Sequence, residues 1–319
     1  MFGFASTGIV EPWFRKKPKK HGRDWPLVDA PKFPVSTAIA DTHAHLNCLS
    51  NPALSIAQAA YWNVSFIESM TDPLSDEGLA IYDTLPAILQ EATEILEGFS
   101  CAENPVAEGG VDSAAPSSVV VNAALASNEN ANGDMAQIAA KLPEIKFACG
   151  VHPHYAKDYS DEVEATLTEK LRDPKTTALG EVGLDYHYDF SDRDSQIQVF
   201  ERQIELSQKA ELPIILHVRE AFDDAYACMK NAGFNKHGVL LHCYTAEAHE
   251  IERWLEAGCY IAFGGALTFK KLDEVREACK LVPRDLLLTE TDSPYMAPEP
   301  FRSSECGPAH TIFTFQRML

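Results

Sequence analysis

Leu212-Pro213-Ile214-Ile215-Leu216-His217 is a short apolar run that ends on an ionisable residue. A half-buried strand alternates apolar and polar side chains, whereas a run without polar gaps suits a strand covered on both faces, as in a parallel sheet wrapped by helices. Similar runs recur at 119–126, 145–151, 177–182, 238–242, 259–263 and 286–289, and Ala38-Ile39-Ala40 leads into Asp41-Thr42-His43-Ala44-His45. Between most of them apolar residues return at intervals of three and four, most clearly at 195–210, 222–232, 246–257 and 272–279. Eight strand–helix alternations predict an α/β fold of the (β/α)8 TIM-barrel type. A chain of 319 residues with 45% hydrophobic content is ordinary for one such barrel.

The ionisable residues fall in matching places. Glu181, His217, His242 and Asp292 each follow an apolar run, as His43 and His45 do. In a barrel the carboxyl ends of the strands form one face, where active sites are built. His43 and His45, two apart on a strand, point to the same side. Any one of these residues could cap a helix or pair with a neighbour. Six on one face carry a desolvation cost that a divalent cation relieves. Nitrogen and oxygen donors together suit Zn, Mn, Co or Fe, with Mg at a carboxylate-rich position.

The rest of the chain narrows the setting. A net charge of −20 opposes nonspecific binding to nucleic acid or anionic membrane, so a polyanionic substrate must meet a locally positive or metal-bearing cleft. The eight cysteines contain no Cys-x-x-Cys pair and several lie in apolar runs, which fits reduced core thiols. No apolar run is long enough to span a bilayer and the amino terminus lacks a signal layout, so a cytoplasmic protein without membrane contact is expected. Residues 1–36 read as a flexible leader whose basic run from Arg15 to Arg23 is a solvated tail or a phosphate contact. Residues 37–319 then form the single barrel domain. An insert is expected at about 52–118, helical over 52–98 with a kink or break at Pro86 and a disordered or poorly packed loop over 100–118.

Six motifs carry a family resemblance: Asp41-Thr42-His43-Ala44-His45, Gly150-Val151-His152-Pro153-His154, Gly180-Glu181-Val182-Gly183-Leu184-Asp185-Tyr186, Leu212-Pro213-Ile214-Ile215-Leu216-His217-Val218-Arg219, Leu241-His242-Cys243-Tyr244 and Thr289-Glu290-Thr291-Asp292-Ser293-Pro294-Tyr295. In this order, over residues 37–302, they resemble the TatD family of metal-dependent hydrolases. The resemblance implies two divalent ions and hydrolysis of phosphodiesters in DNA, often as a 3′-to-5′ exonuclease. It also implies that His43, His45 and Asp292 hold one ion, His217 and His242 the other, and that Glu181 bridges them. Two ions about 3.5–4 Å apart acidify a bridging water and clamp an in-line displacement. Asp292 is then either the acceptor of that water's proton or a plain ligand.

His152, His154 and Arg219 are candidate phosphate contacts. Tyr155, Tyr186, Tyr188 and Tyr244 either stack on an unpaired base or pack loops over the barrel mouth. Three departures from the family pattern bear on substrate and access: the long leader and stretch 52–118, the absence of an Asn-Glu-Pro step after Tyr295, and only about one short helix after the eighth strand. The alternatives are a barrel acting on small esters, amides or lactones, and a non-catalytic binding subunit. A small phosphoester is the other expected partner besides DNA.

Overall fold

A computed structural model describes residues 10–18, 24–31, 33, 37–99 and 141–319. Eight parallel strands follow one another in chain order around a single sheet. They are β1 (Ile39–Ala44), β2 (Val64–Thr71), β3 (Glu144–Cys149), β4 (Thr176–Asp185), β5 (Ile214–Arg219), β6 (Val239–Leu241), β7 (Tyr260–Phe263) and β8 (Leu287–Thr289). The ends of the sheet meet through side chains and strand ends rather than through a regular ladder. Thr42 Oγ1 donates to Thr289 O at 3.0 Å, and Thr289 Oγ1 donates to Ala40 O at 2.6 Å. The buried Asp41 carboxylate accepts from Thr291 N at 2.8 Å and Thr291 Oγ1 at 2.6 Å. Asp41 thus ties the start of the sheet to the segment that carries Asp292.

The helices are α1 (Pro52–Tyr61), α2 (Asp76–Phe99), α3 (Asp161–Lys170), α4 (Arg193–Ala210), α5 (Phe222–Ala232), α6 (Ala248–Glu256), α7 (Asp273–Leu281) and α8 (Thr311–Met318). Side-chain caps set several starts: Asn51 accepts from Leu54 N, Ser160 from Val163 N and Asp192 from Ser195 N. Outward-facing strand residues such as Leu179, Leu184, Leu216 and Phe263 pack against Phe200, Ile204 and Trp254 of the helical layer. The interior holds Met70, Ala148, Ala178, Ile215, Leu240 and Ala262, one from each of β2 to β7. Alternation of small and large side chains fills the barrel, so it is a packed floor and not a pore.

The expected (β/α)8 architecture is present, with one strand relocated. The second strand is Val64–Thr71, inside the stretch expected to be helical, and Pro52–Phe99 supplies α1, β2 and α2 of the barrel itself rather than an insert. Residues 100–118 and 119–126, expected as a disordered or poorly packed loop and a strand, lie outside the described residues. The helix α2 continues through Pro86. Strand β4 runs to Asp185, beyond Glu181, because Gly183, Leu184 and Asp185 continue the pairing with His217, Val218 and Arg219.

The described part of the leader is packed down. Phe14 is buried, with ring centroids 5.2 Å from Trp62, 5.9 Å from Phe301 and 4.9 Å from Phe313. The Trp62 indole donates to Pro12 O at 2.7 Å. Burial of aromatic surface and a satisfied indole hold this segment between α1 and the C-terminal helix. Among the described residues no helix is long and apolar enough to cross a membrane.

Candidate metal centre

Glu181 is the hub of the barrel mouth. Its Oε1 lies 2.6 Å from His217 Nδ1 and 2.8 Å from His242 Nε2, while Oε2 lies 3.2 Å from His43 Nε2 and 3.7 Å from His45 Nε2. Asp292 Oδ1 faces the same two histidines as Oε2, 3.4 Å from His45 Nε2 and 4.0 Å from His43 Nε2. All six residues expected to bind metal therefore converge, one carboxylate oxygen turned toward each histidine pair. The His43 and His242 rings stack at 3.7 Å with planes 13° apart, which brings the two halves together.

The electrostatics follow from that crowding. Burial opposes ionisation of Glu181, but the imidazoles of His242, His43 and His152 outweigh it and hold the carboxyl well below its ordinary range. Burial and the neighbouring His242 push the His43 imidazole down, keeping it neutral with a free lone pair. Both ring nitrogens of His43 are buried and neither has a hydrogen-bond partner among the described residues; the 3.2 Å approach to Glu181 lacks hydrogen-bond alignment. Buried polar atoms are rarely left so. A cation beside Nε2, where Glu181 and Asp292 also face, would satisfy that nitrogen, and the neutral-imidazole and carboxylate donor set fits a divalent metal.

Three acidic residues that sequence reasoning left out of the site stand behind the six. Asp185 is fully buried; its Oδ2 accepts from His154 Nε2 at 2.8 Å and from His217 Nε2 at 3.2 Å, and its Oδ1 accepts from the backbone of His187 and Tyr188. Burial works against this carboxylate, but those donors hold it far below the usual range. With its Nε2 proton on Asp185, His217 keeps Nδ1 turned toward Glu181, the tautomer a cation needs. Glu290 Oε1 sits 3.6 Å from His242 Nδ1, on the side away from Glu181. Asp72, at the end of β2, accepts from His152 N at 3.4 Å and is pushed up to about 6 by burial. Asp185 and Glu290 lay within quoted motifs, whereas Asp72 was hidden with its strand. Asp185→Asn is expected to weaken metal retention by about 10- to 100-fold, read by metal content after graded chelation; unchanged retention would remove Asp185 from its orienting role.

The expected phosphate contacts divide. His152 Nδ1 accepts from His154 N at 3.2 Å, so the ring proton sits on Nε2, 3.6 Å from Glu181 Oε1. Burial pushes His152 down to about 4, so at neutral pH it presents an N–H donor to the cleft and no lone pair. His154 is committed to Asp185. Arg219 is exposed, with its guanidinium 4.7 Å from the centre of the Tyr188 ring, and makes no ion pair among the described residues.

A family model described as TatD related DNase matches residues 40–319. The chain belongs to the TatD family of metal-dependent hydrolases. Among curated relatives of this TatD chain, the "Uncharacterized metal-dependent hydrolase YabD" of Bacillus subtilis (strain 168) is 37% identical over 174 residues, 54% of this chain and 68% of the relative. The "3'-5' ssDNA/RNA exonuclease TatD" of Erwinia tasmaniensis is 37% identical over 167 residues, 52% of this chain and 64% of the relative. The match thus spans about two thirds of those relatives' length. A crystal structure of YJJV, a TatD homologue from Escherichia coli K12, superposes with a TM-score of 0.66 at 22% identity, covering 88% of each chain, and has the same fold.

Proposed function

We propose that this TatD-family chain hydrolyses phosphodiester bonds in single-stranded nucleic acid, DNA in the first instance, releasing nucleotides from a 3′ end with two divalent ions. The observation that carries the reading is the split of the Glu181 carboxylate, with Oε1 toward His217 and His242 and Oε2 toward His43 and His45. Such a carboxylate serves two ion positions. His43, His45 and Asp292 would hold one ion, His217 and His242 the other, with Glu181 between them; Zn, Mn, Co, Fe and Mg are the candidates. Bound there, the ions supply Lewis acidity and offset phosphate charge.

The chain's own groups supply the rest. Asp292 would accept the proton of the attacking water, its Oδ1 lying 3.4 Å from His45 Nε2. The Nε2–H of His152 donates to a non-bridging phosphate oxygen, and Arg219 meets the phosphate that follows along the strand. Asp185 keeps His217 turned inward, and Glu290 faces His242 Nδ1 at 3.6 Å. The seven described cysteines are unpaired, which supports a reducing, cytoplasmic setting.

The test is release of nucleotides from a labelled single strand by chelator-treated protein, with Mg, Mn, Co and Zn restored one at a time. Metal-dependent release from the 3′ end is the expected result. A protein that binds metal yet releases nothing from DNA or RNA would reject the nuclease reading and point to small esters and lactones.

A further inference from the structure

Large aromatic side chains stand in solvent beside the metal centre. Tyr155, Tyr188 and Phe190 are 51%, 42% and 56% exposed, on the loops that follow β3 and β4 at the face carrying Glu181. The other tyrosines near the strand ends are engaged: Tyr244 is buried, donating to Glu247 O, and Tyr186 donates to Asp224 beneath the Arg193 guanidinium. Tyr188 and Phe190 are nearly parallel, centroids 5.2 Å apart and planes at 11°. His154 meets both edge-on, at 5.5 Å and 4.7 Å. Its Nε2 is bonded to Asp185, which also holds His217. Arg219 flanks the pair, its guanidinium over Tyr188.

We propose that Tyr188 and Phe190 form a stacking shelf for an unpaired nucleobase of the strand whose phosphate lies at the metal centre. This rests on the nuclease reading above. Contiguous exposed aromatic surface beside a polar cleft marks an interaction site, and every nucleobase offers a π-face that can cover it. The geometry favours that occupant. The two rings stack on each other, so a base lies on the outer face of the pair; the pair touches His154, which leads through Asp185 to His217, and Arg219 adds a positive charge where the strand's next phosphate would pass. A base held in a duplex cannot reach such a shelf, so the shelf selects unpaired ends. Stacking recognises no particular base, so little sequence preference is expected.

The experiment compares KM for two single-stranded oligonucleotides, one with natural 3′-terminal residues and one whose terminal two positions are abasic tetrahydrofuran residues. Wild type is expected to show a KM about tenfold higher for the abasic strand, in line with stacking of about one base. In Phe190→Leu and Tyr188→Leu that ratio falls toward one, while Phe190→Trp retains it; leucine keeps apolar bulk but removes the ring face. Anisotropy of labelled natural and abasic trinucleotides on chelator-treated protein reads the same ratio without turnover. A wild-type ratio near one, or a Phe190→Leu ratio equal to wild type, overturns the shelf while leaving the nuclease reading standing, and leaves another segment or partner as its cover. Failure of wild type to cleave either strand with any metal overturns the nuclease reading and the shelf with it.

Discussion

Glu181→Gln is expected to lower kcat/KM by about a thousandfold, equivalent to about 4 kcal/mol at the transition state, and to lower the number of ions retained after dialysis. The substitution preserves shape and removes one charge, so what it tests is electrostatic. In the native site each oxygen has its own pair of imidazoles, at 2.6 and 2.8 Å for Oε1 and 3.2 and 3.7 Å for Oε2. An amide can present an oxygen to one pair only. Its NH2 then faces the other pair, where a cation would have to bind, and donor against cation is repulsive. One ion position would be lost outright and the other would lose the negative charge that Glu181 contributes to it. Metal content by mass spectrometry separates this from a kinetic effect alone. A variant that retains the wild-type metal content and acts within tenfold of wild type would show that Glu181 does not bridge.

The six ligand candidates were legible because their placement is a matter of topology: each follows an apolar run, and parallel strands bring such positions to one face whatever the loops do. Strand β2 was not legible. In Val64-Ser65-Phe66-Ile67-Glu68-Ser69-Met70-Thr71 the polar residues face partners far away in sequence. Glu68 accepts from Thr177 Oγ1 at 2.7 Å, Ser69 Oγ accepts from Leu46 N at 3.3 Å and Thr71 Oγ1 donates to Ala148 O at 2.9 Å. A strand whose polar groups are satisfied only by the closed barrel shows neither an apolar run nor alternation. Its neighbours α1 and α2 have strong helical period, so the whole stretch read as helix. Asp72 was lost with it. Asp185 illustrates a different limit: its type and motif were visible, but its task depends on having His154 and His217 on one oxygen. The tyrosines illustrate a third, since exposure alone separates Tyr188 from Tyr244 and sequence carries no exposure.

Gly183→Ala is expected to cost about 3 kcal/mol or more, a fall of about 5 to 10 °C in Tm, together with loss of bound metal. Two observations combine at this residue. Its φ is +143°, where L side chains are strained, and a Cβ built there would lie 2.0 Å from the carbonyl oxygen of His217. Gly183 is also the register partner of His217 in the β4–β5 ladder. The clash is with backbone, so no side chain can swing aside to relieve it. The two strands must part at the pair that fixes His217, two residues beyond Glu181, and His217 is carried away from Glu181 with them. Gly233→Ala supplies the comparison, because Gly233 also has positive φ, +82°, but nothing lies within 4 Å of its Cβ position. That variant bears the backbone strain alone, about 1 kcal/mol. Thermal unfolding of the two variants, each with and without added Zn or Mn, measures the difference. A stabilising response to metal retained by Gly233→Ala and absent from Gly183→Ala would place the defect at the centre. Equal losses of stability with equal metal responses would mean that β4 and β5 are not so close at His217, and that the glycine of this motif serves its φ alone.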